Sequence, residues 1–488
     1  MQTAQITGGC PAAQIRCQLK LWGGRGPKST HDARQTATAT DALVIDMPTS
    51  HQLYAGGAVV GGSHARHCAT IVVTCPNRAI FALRVSKSRR WTVWENQIMT
   101  MRTELAGQPQ LAYVPGRAFG IYIHVPFCAT RCGYCDFNTY TASELGGASP
   151  DGWLAALRVE LRLAAATVGS VPVQTVFVGG GTPSLLGGAG LAAVLGAVRD
   201  NFDLAVDAEV TTEANPESTS PEMFATLREA GYTRISLGMQ SAAPQVLAVL
   251  DRTHSPGRAP AAAVEARAAG FEHVSIDLIY GTPGESDDDL RRSIDVAVGA
   301  GVDHVSAYSL IVEDGTALAR RVRRGEIARP DDDVLAQRYE LLDAALSAAG
   351  LHWYEVSNWS REGGECRHNL GYWDGGQWWG AGPGAHGFLG ATRWWNVKHP
   401  NTYAQSLAEN RLPIADFEQL DDLDRHVEDV MLRVRVRDGL PVALLDTVEL
   451  ARAETLCSEG LLLRQRDALV LTDRGRLLAD AVVRDLLG

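Results

Sequence analysis

The sequence lacks the features that would place it in a membrane, in a disulfide-stapled scaffold or on nucleic acid. No apolar run reaches the ~18–20 residues that a bilayer-crossing helix needs. Residues 1–20 hold no apolar core of signal-peptide type, so a cytoplasmic protein is the expectation. Nine cysteines in 488 residues are too sparse for a disulfide framework. Positive charge is also short. The 45 Lys and Arg face 56 Asp and Glu, for a formal net charge of −11, which argues against general nucleic-acid binding.

What is present is unevenly spread. Residues 1–98 carry eleven Lys and Arg against four Asp and Glu, so the acidity lies downstream. Short apolar runs at 69–74 and 79–85 sit among Gly, Ser and Thr without sustained periodicity. Cys10, Cys17, Cys68 and Cys75 occur here beside His64 and His67, but their spacings do not pair as zinc knuckles do. Low acidity with scattered Arg also has a transit-peptide character, though without an amphipathic helix. Residues 1–112 are therefore read as a poorly ordered extension, with Met99 or Met101 as an alternative start.

From residue 113 the pattern becomes regular. Short β-branched runs at 119–125, 173–178, 209–214, 234–239, 273–280 and 304–311 read as buried parallel strands. Helical patterns at 151–166, 191–202, 220–230, 260–269, 287–300 and 331–349 separate them. Strand alternating with helix implies βαβ units. Six units are too few for a closed eight-fold barrel, so the expected fold is α/β, a partial (β/α)6 TIM barrel over 113–350. Its chemistry should gather at the carboxyl ends of the strands.

Residues 351–412 are rich in Trp, Tyr, Gly and His, and 375–390 reads as a loop. From 413 a small α-rich domain follows, with helices at 421–435, 442–459 and 473–487 and two short strands within 461–471. This is a winged-helix-like order. A DNA reader wants a basic recognition helix, whereas 442–459 holds Asp446, Glu449, Glu454 and Glu459 against Arg452 alone. A packing role is the better reading.

The decisive stretch follows the first strand: Tyr122-Ile-His-Val-Pro-Phe-Cys128-Ala-Thr-Arg-Cys132-Gly-Tyr-Cys135-Asp-Phe-Asn138. Cysteine thiolates are soft ligands suited to iron–sulfur clusters. Spacings of four and three positions let one loop supply three sulfurs to a cube. A zinc site would want a fourth ligand, and no further cysteine is near, so one iron is left open. Other polar or permissive residues stand at strand ends. Gly179-Gly180-Gly181-Thr182-Pro183-Ser184 ends the second strand, and glycine permits close backbone approach to a ligand. Glu213 ends the third, Gln240 the fourth, and Asp277 lies within the fifth. Such groups need a partner. A buried ion pair of Glu213 with Arg252 is the structural alternative to ligand binding.

Cysteines in this spacing after strand one resemble the radical S-adenosylmethionine (SAM) superfamily. There the open iron binds the methionine moiety of SAM, and electron transfer yields a 5′-deoxyadenosyl radical. The runs Glu-Ala-Asn-Pro-Glu, Ser-Leu-Gly-Met-Gln-Ser and Ile-Asp-Leu-Ile-Tyr-Gly-Thr-Pro extend the likeness over 119–488 to the HemN/HemW family, the oxygen-independent coproporphyrinogen III oxidases and their heme-chaperone relatives. The resemblance implies a 4Fe–4S cluster on Cys128, Cys132 and Cys135. It also implies SAM contacts from Tyr122, Tyr134, Gly180, Gly181, Thr182, Glu213, Gln240, Arg252 and Asp277.

Two features point to the chaperone branch. The oxidases carry a further cysteine two residues after the third, where this chain has Phe137. Chaperone relatives carry His-Asn-x-x-Tyr-Trp, here His368-Asn369-Leu-Gly-Tyr372-Trp373. Tyr354-Glu355-Val-Ser357-Asn358 and Gly382-Pro-Gly384-Ala385-His386 accompany it, with Pro383 in place of the usual Ala. The implied function is binding of heme as cargo and its delivery to client hemoproteins, with an electron donor for the cluster. The alternative is oxidative decarboxylation of coproporphyrinogen III. A homodimer and a transient membrane or respiratory-chain contact are compatible with this reading; nucleic acid is not. His368 and Cys366 are the heme-ligand candidates, with Tyr372 and Trp373 as cover for a porphyrin face.

Anaerobically reconstituted protein is expected to hold a 4Fe–4S cluster. Cys128→Ala, Cys132→Ala or Cys135→Ala should each lose most of the iron, while Cys366→Ala and Cys457→Ala keep it. Iron analysis that finds a full complement in Cys132→Ala would refute the ligand assignment.

Overall fold

The computed structural model describes residues 109–488 and, before them, the backbone of four short strands. Val44–Ile45 pairs with Leu53–Tyr54, and Cys68–Thr74 pairs antiparallel with Ile80–Ser86. These strands and the residues from Pro109 to Gly488 fall in separate units. The expectations for order and for zinc within 1–108 otherwise lie outside the described residues. Residues 109–112, expected in the extension, belong to the described fold. The Gln110 carbonyl accepts from Thr392 Oγ1 at 3.0 Å, and Leu111 packs on the core.

The six β-branched runs form strands β1 (Phe119–Val125), β2 (Val173–Gly180), β3 (Leu204–Ala214), β4 (Arg234–Gln240), β5 (His273–Tyr280) and β6 (His304–Ser309), all parallel. Helices α1 (Pro150–Val168), α2 (Gly187–Arg199), α3 (Pro221–Ala230), α4 (Arg258–Ala268), α5 (Asp287–Gly299) and α6 (Asp332–Ala348) alternate with them. Local chemistry sets their starts. Ser149 caps α1 by accepting from the Gly152 N–H, with proline in the first turn, and Ser286 and Asp289 form a capping box on α5.

Period-two alternation separates two cores. Phe119, Ile121, Ile123 and Val125 join the apolar layer under the helices. Gly120, Tyr122 and His124 face the barrel interior, where a Cβ on Gly120 would meet Thr175 Oγ1 at 2.5 Å.

The sheet continues past the six units. After β7 (His352–Glu355), β8 (Asn358–Ser360) and helix α7 (Arg367–Trp373) come β9 (Gln377–Ala381), β10 (His386–Leu389), β11 (Thr392–Asn396), helix α8 (Pro400–Ala408) and β12 (Ile414–Gln419). The twelve strands lie in the order β7-β8-β6-β5-β4-β3-β2-β1-β9-β10-β11-β12, open at both ends. β9 is parallel to β1, and β10 to β12 run on antiparallel. The loop expected at 375–390 is thus largely sheet. Its glycines allow close packing: a Cβ on Gly380 would lie 1.9 Å from the His386 carbonyl oxygen.

Beyond helix α9 (Asp422–Arg433), a smaller apolar core gathers around Val430, Leu440, Leu456, Leu469 and Val482. A three-stranded sheet lies within it. Helix α10 (Thr447–Ser458) starts later than the expected 442, because Asp446 caps it in a box with Glu449. The expected helix 473–487 is split into Asp473–Leu477 and Ala479–Leu487. Among the described residues no helix is long and apolar enough to cross a membrane.

Glu160 of α1 joins the barrel to its extension. Its buried carboxylate accepts from Tyr403 Oη at 2.6 Å, Asn396 Nδ2 at 2.7 Å and the Gly382 N–H at 2.8 Å. Burial still pushes its pKa up to about 7, against the lowering effect of those donors. Glu160→Ala strands three buried donors and is expected to cost about 3 kcal/mol or more in urea unfolding. A loss below about 1 kcal/mol would show that water replaces the carboxylate.

Candidate functional site

The cysteine loop leaves the carboxyl end of β1 and is held on several sides. The Cys128 N–H donates to the Tyr140 carbonyl at 3.0 Å, and the Leu318 N–H donates to the Gly133 carbonyl at 2.8 Å. Asn138 Nδ2 donates to the Pro383 and Lys398 carbonyls at 2.9 and 2.8 Å, which ties the loop to the segments beyond β9 and β11. Gly133 is required by close approach, since a Cβ there would sit 2.3 Å from Asp251 Oδ2.

All three thiols are free. Arg252 Nη1 donates to Cys132 Sγ at 3.4 Å, and Thr182 Oγ1 donates to Cys128 Sγ at 3.7 Å. Donors on sulfur suit thiolate ligands. Burial otherwise holds the Cys128 thiol up and pushes Cys135 up to about 12. Among the described residues no three His, Cys, Asp or Glu side chains gather tightly enough for a single metal ion. Three cysteines that wrap a cube need not meet at one point.

Around this loop the structure brings the strand-end residues together. Gly180 has φ of 111°, and a Cβ there would strike the His124 ring at 2.6 Å. A Cβ on Gly181 would lie 2.5 Å from the Phe127 carbonyl oxygen. The Gly180 N–H donates to Glu213 Oε2 at 3.0 Å. Glu213 is pushed up to about 8, first by burial and then by the neighbouring Asp277. Asp277 is itself pushed up to about 6 by burial, though Ser236 Oγ donates to it at 2.9 Å. Gln240 sits at a bulge in β4 with φ of 67°, a left-handed conformation that a non-glycine residue holds at a cost.

The alternative pairing of Glu213 with Arg252 is not formed. Arg252 instead serves Cys132 and, through Nη2, the Gly238 carbonyl at 3.1 Å, leaving its buried Nε without a partner among the described residues. Tyr134 packs beside Ala243, Val246 and Leu250, and burial raises its pKa.

Two histidines near this end were missed in the sequence. His124 accepts or donates at both ring nitrogens, to Tyr122 Oη at 3.1 Å and the Asn138 carbonyl at 2.9 Å. The period-two alternation of β1 could have placed it inside. His254 has both ring nitrogens buried and unpartnered among the described residues, and burial and Arg252 hold its pKa down to about 4. No local signal marks it.

Cys366 and His368 lie elsewhere, at the opposite, amino-terminal end of the barrel strands, Cys366 as the N-cap of α7 and His368 in its first turn. Glu209 Oε2 pairs with Arg234 Nε at 3.0 Å and accepts from the Arg367 N–H at 3.2 Å, while Oε1 accepts from the His368 N–H at 3.0 Å. A buried carboxylate thus caps the first turn of α7. The Cys366 thiol faces the same carboxylate at 3.5 Å, and burial pushes it up to about 12. His368 is committed at both ring nitrogens, to Thr175 Oγ1 and Tyr372 Oη at 2.8 Å each, and burial lowers its pKa to about 4. Tyr372 and Trp373 do not share a face. Trp373 packs with Leu432 and Val436, and Tyr372 with Trp378 and Phe388.

An aromatic chain runs from the cysteine strand through this helix. Ring centroids are 6.2 Å apart for Tyr122–Phe177, 5.3 Å for Phe177–His368, 5.0 Å for His368–Tyr372, 4.6 Å for Tyr372–Trp378 and 5.5 Å for Trp378–Phe388.

Comparison with known proteins gives this geometry its family. The Radical SAM superfamily profile matches residues 122–297. The "Heme chaperone HemW" of Mycobacterium tuberculosis is 71% identical over 390 residues, covering 80% of this chain and all of that protein. The chain belongs to the HemW family of radical SAM proteins. The Bacillus subtilis heme chaperone HemW is 34% identical over 376 residues, covering 75% of this chain and 98% of that one. The structure of coproporphyrinogen III oxidase (HemN) from Escherichia coli matches with a TM-score of 0.67 at 22% identity, covering 77% of this chain and 91% of that chain; at that identity the likeness shows the fold. Membership in the HemW family implies a 4Fe–4S cluster and SAM. The donors on two sulfurs, the unpartnered Arg252 Nε and the glycine cradle at 180–181 fit both groups.

The raised pKa of Glu213 has a direct consequence. Its carboxyl stays neutral until pH passes about 8, because burial and Asp277 both disfavour the anion. Infrared difference spectra of the ligand-free protein should lose a protonated-carboxyl band through that pH, and Glu213→Gln should lack the change. Identical spectra from the two proteins would mean that Glu213 is already ionised at neutral pH.

Proposed function

We propose that this chain is a cytoplasmic heme chaperone that carries its cluster on Cys128, Cys132 and Cys135. SAM is held by Gly180, Gly181, Thr182, Glu213, Gln240, Arg252 and Asp277, with Tyr122 and Tyr134 beside them. Bound there, the cluster supplies one-electron reducing chemistry toward SAM. The chain's own residues do the positioning. Arg252 and Thr182 donate to cluster sulfurs, the glycine backbone admits a close ligand, and Glu213 and Asp277 place carboxyl groups where a cationic ligand favours their ionised form. Heme is the cargo, client hemoproteins receive it, and an electron donor serves the cluster.

The observation that carries the chaperone reading over the oxidase reading is Phe137. It stands in the cysteine loop, its carbonyl accepting from the Thr139 N–H at 2.8 Å, where the oxidases place a further cysteine. A phenyl ring neither ligates iron nor accepts an electron. The identity with proteins named as heme chaperones supports the same reading.

Reconstituted protein with reductant and SAM should not decarboxylate coproporphyrinogen III, assayed anaerobically by chromatography of the porphyrins. The same preparation should bind heme, seen as a Soret band that saturates on titration. Decarboxylated product would overturn the chaperone assignment.

A further inference from the structure

Heme, if it is the cargo, needs an apolar slot, an iron ligand and cations for two carboxylates. The motif candidates do not offer these. Cys366 and His368 are buried and committed, the thiol to Glu209 and the imidazole to Thr175 and Tyr372. One surface feature does offer them. A cleft of about 250 Å³ opens between strands β9–β11 of the sheet and helix α9. Its apolar wall is made of the edges of Tyr372, Trp378, Phe388 and Leu432, each less than a tenth exposed. Its size falls just short of the roughly 300–1,000 Å³ that encloses a whole drug-sized ligand. It therefore suits a plate held by one edge, with the rest outside, as a cargo that must leave requires.

His426 lines the same cleft. Its Nε2 meets Glu449 Oε1 at 2.7 Å, while Nδ1 makes no hydrogen bond to a described residue. An imidazole that gives one N–H to a carboxylate and keeps the other nitrogen free is the usual arrangement of a metal-ligating histidine.

The charges of the cleft are largely spent on each other. Glu428 is bound by Arg393 through two contacts of 2.7 and 2.8 Å, and Asp429 faces Arg433 at 3.4 Å. Two cations stay available. Arg117 donates to the Gly375 carbonyl at 3.0 Å and forms no salt bridge with a described carboxylate. Arg425 meets only the exposed Asp422, three residues before it.

We infer that the cleft between strands β9–β11 and α9 is the heme site, with the aromatic wall on the macrocycle, His426 on the iron, and Arg117 and Arg425 on the two propionates. This rests on the heme-chaperone reading and deepens it. Tyr372 gives the site its link to the cluster end, since the aromatic chain from Tyr122 ends in the cleft wall.

The test titrates hemin and iron-free protoporphyrin IX into the reconstituted full chain. The proteins compared are wild type, His426→Ala, the double variant Arg117→Glu with Arg425→Glu, and Cys366→Ala. Cluster iron and SAM binding report the fold of each. His426→Ala should shift the Soret band and weaken hemin about tenfold or more while barely changing protoporphyrin. The double arginine variant should weaken both ligands by at least about tenfold. Cys366→Ala should change neither. Wild-type binding that survives unchanged in both cleft variants would overturn the cleft and leave the chaperone reading standing. Wild type that binds no hemin would overturn that reading and the cleft with it. Should His426→Ala lose its iron, the surface arginine variant alone decides.

Discussion

One buried carboxylate organises the closed end of this barrel. Glu209 meets Arg234 inside the sheet and receives the first amides of α7. Arg234 in turn donates to the carbonyls of Gly364 and Glu365, just before that helix. Removing either partner of such a pair leaves a charge in low dielectric. The pair therefore does more than tie two strands. It fixes where the chain re-enters the barrel after β8, and with it the positions of His368 and Tyr372. The aromatic chain that reaches from β1 to β10 hangs on that placement.

The two ends of the barrel are thus built on different principles. The carboxyl end is permissive, with glycines at close approach, the Glu213 carboxyl held neutral by burial and an arginine with spare hydrogen-bonding capacity. The amino end is packed, with Glu209, Arg234 and the first amides of α7 answering one another.

Much of this was legible in the sequence. The parallel strands announced themselves as β-branched runs bounded by turn residues, and the cysteine spacing carried its own chemistry. Glu209 could not be read, because an acidic residue at the start of a strand looks like a solvated end until its arginine partner is placed. The run from His368 to Trp373 is hard to read for a related reason. Its residues have the composition of a cofactor motif, but which of them faces a ligand depends on the helix they form and on the carboxylate that caps it. His426 lay in a helix that the sequence did predict. What the sequence withheld was the face of strands β9–β11 across from it. Local pattern yields elements and their inward faces, and only tertiary placement yields the surfaces that two elements make together.

The glycines between Gly371 and Gly390 have a consequence for how this chain can vary. A β-carbon on Gly376 would lie 2.7 Å from the Gly371 carbonyl oxygen, one on Gly380 1.9 Å from that of His386, and one on Gly387 2.1 Å from the Trp394 ring. Every missense change of a glycine codon adds at least that carbon. The segment whose composition looks most like a loose linker is therefore the one where point mutation has the fewest acceptable outcomes. Diversification of this protein must proceed by exchanging the tryptophans and their glycines together, or by leaving both alone.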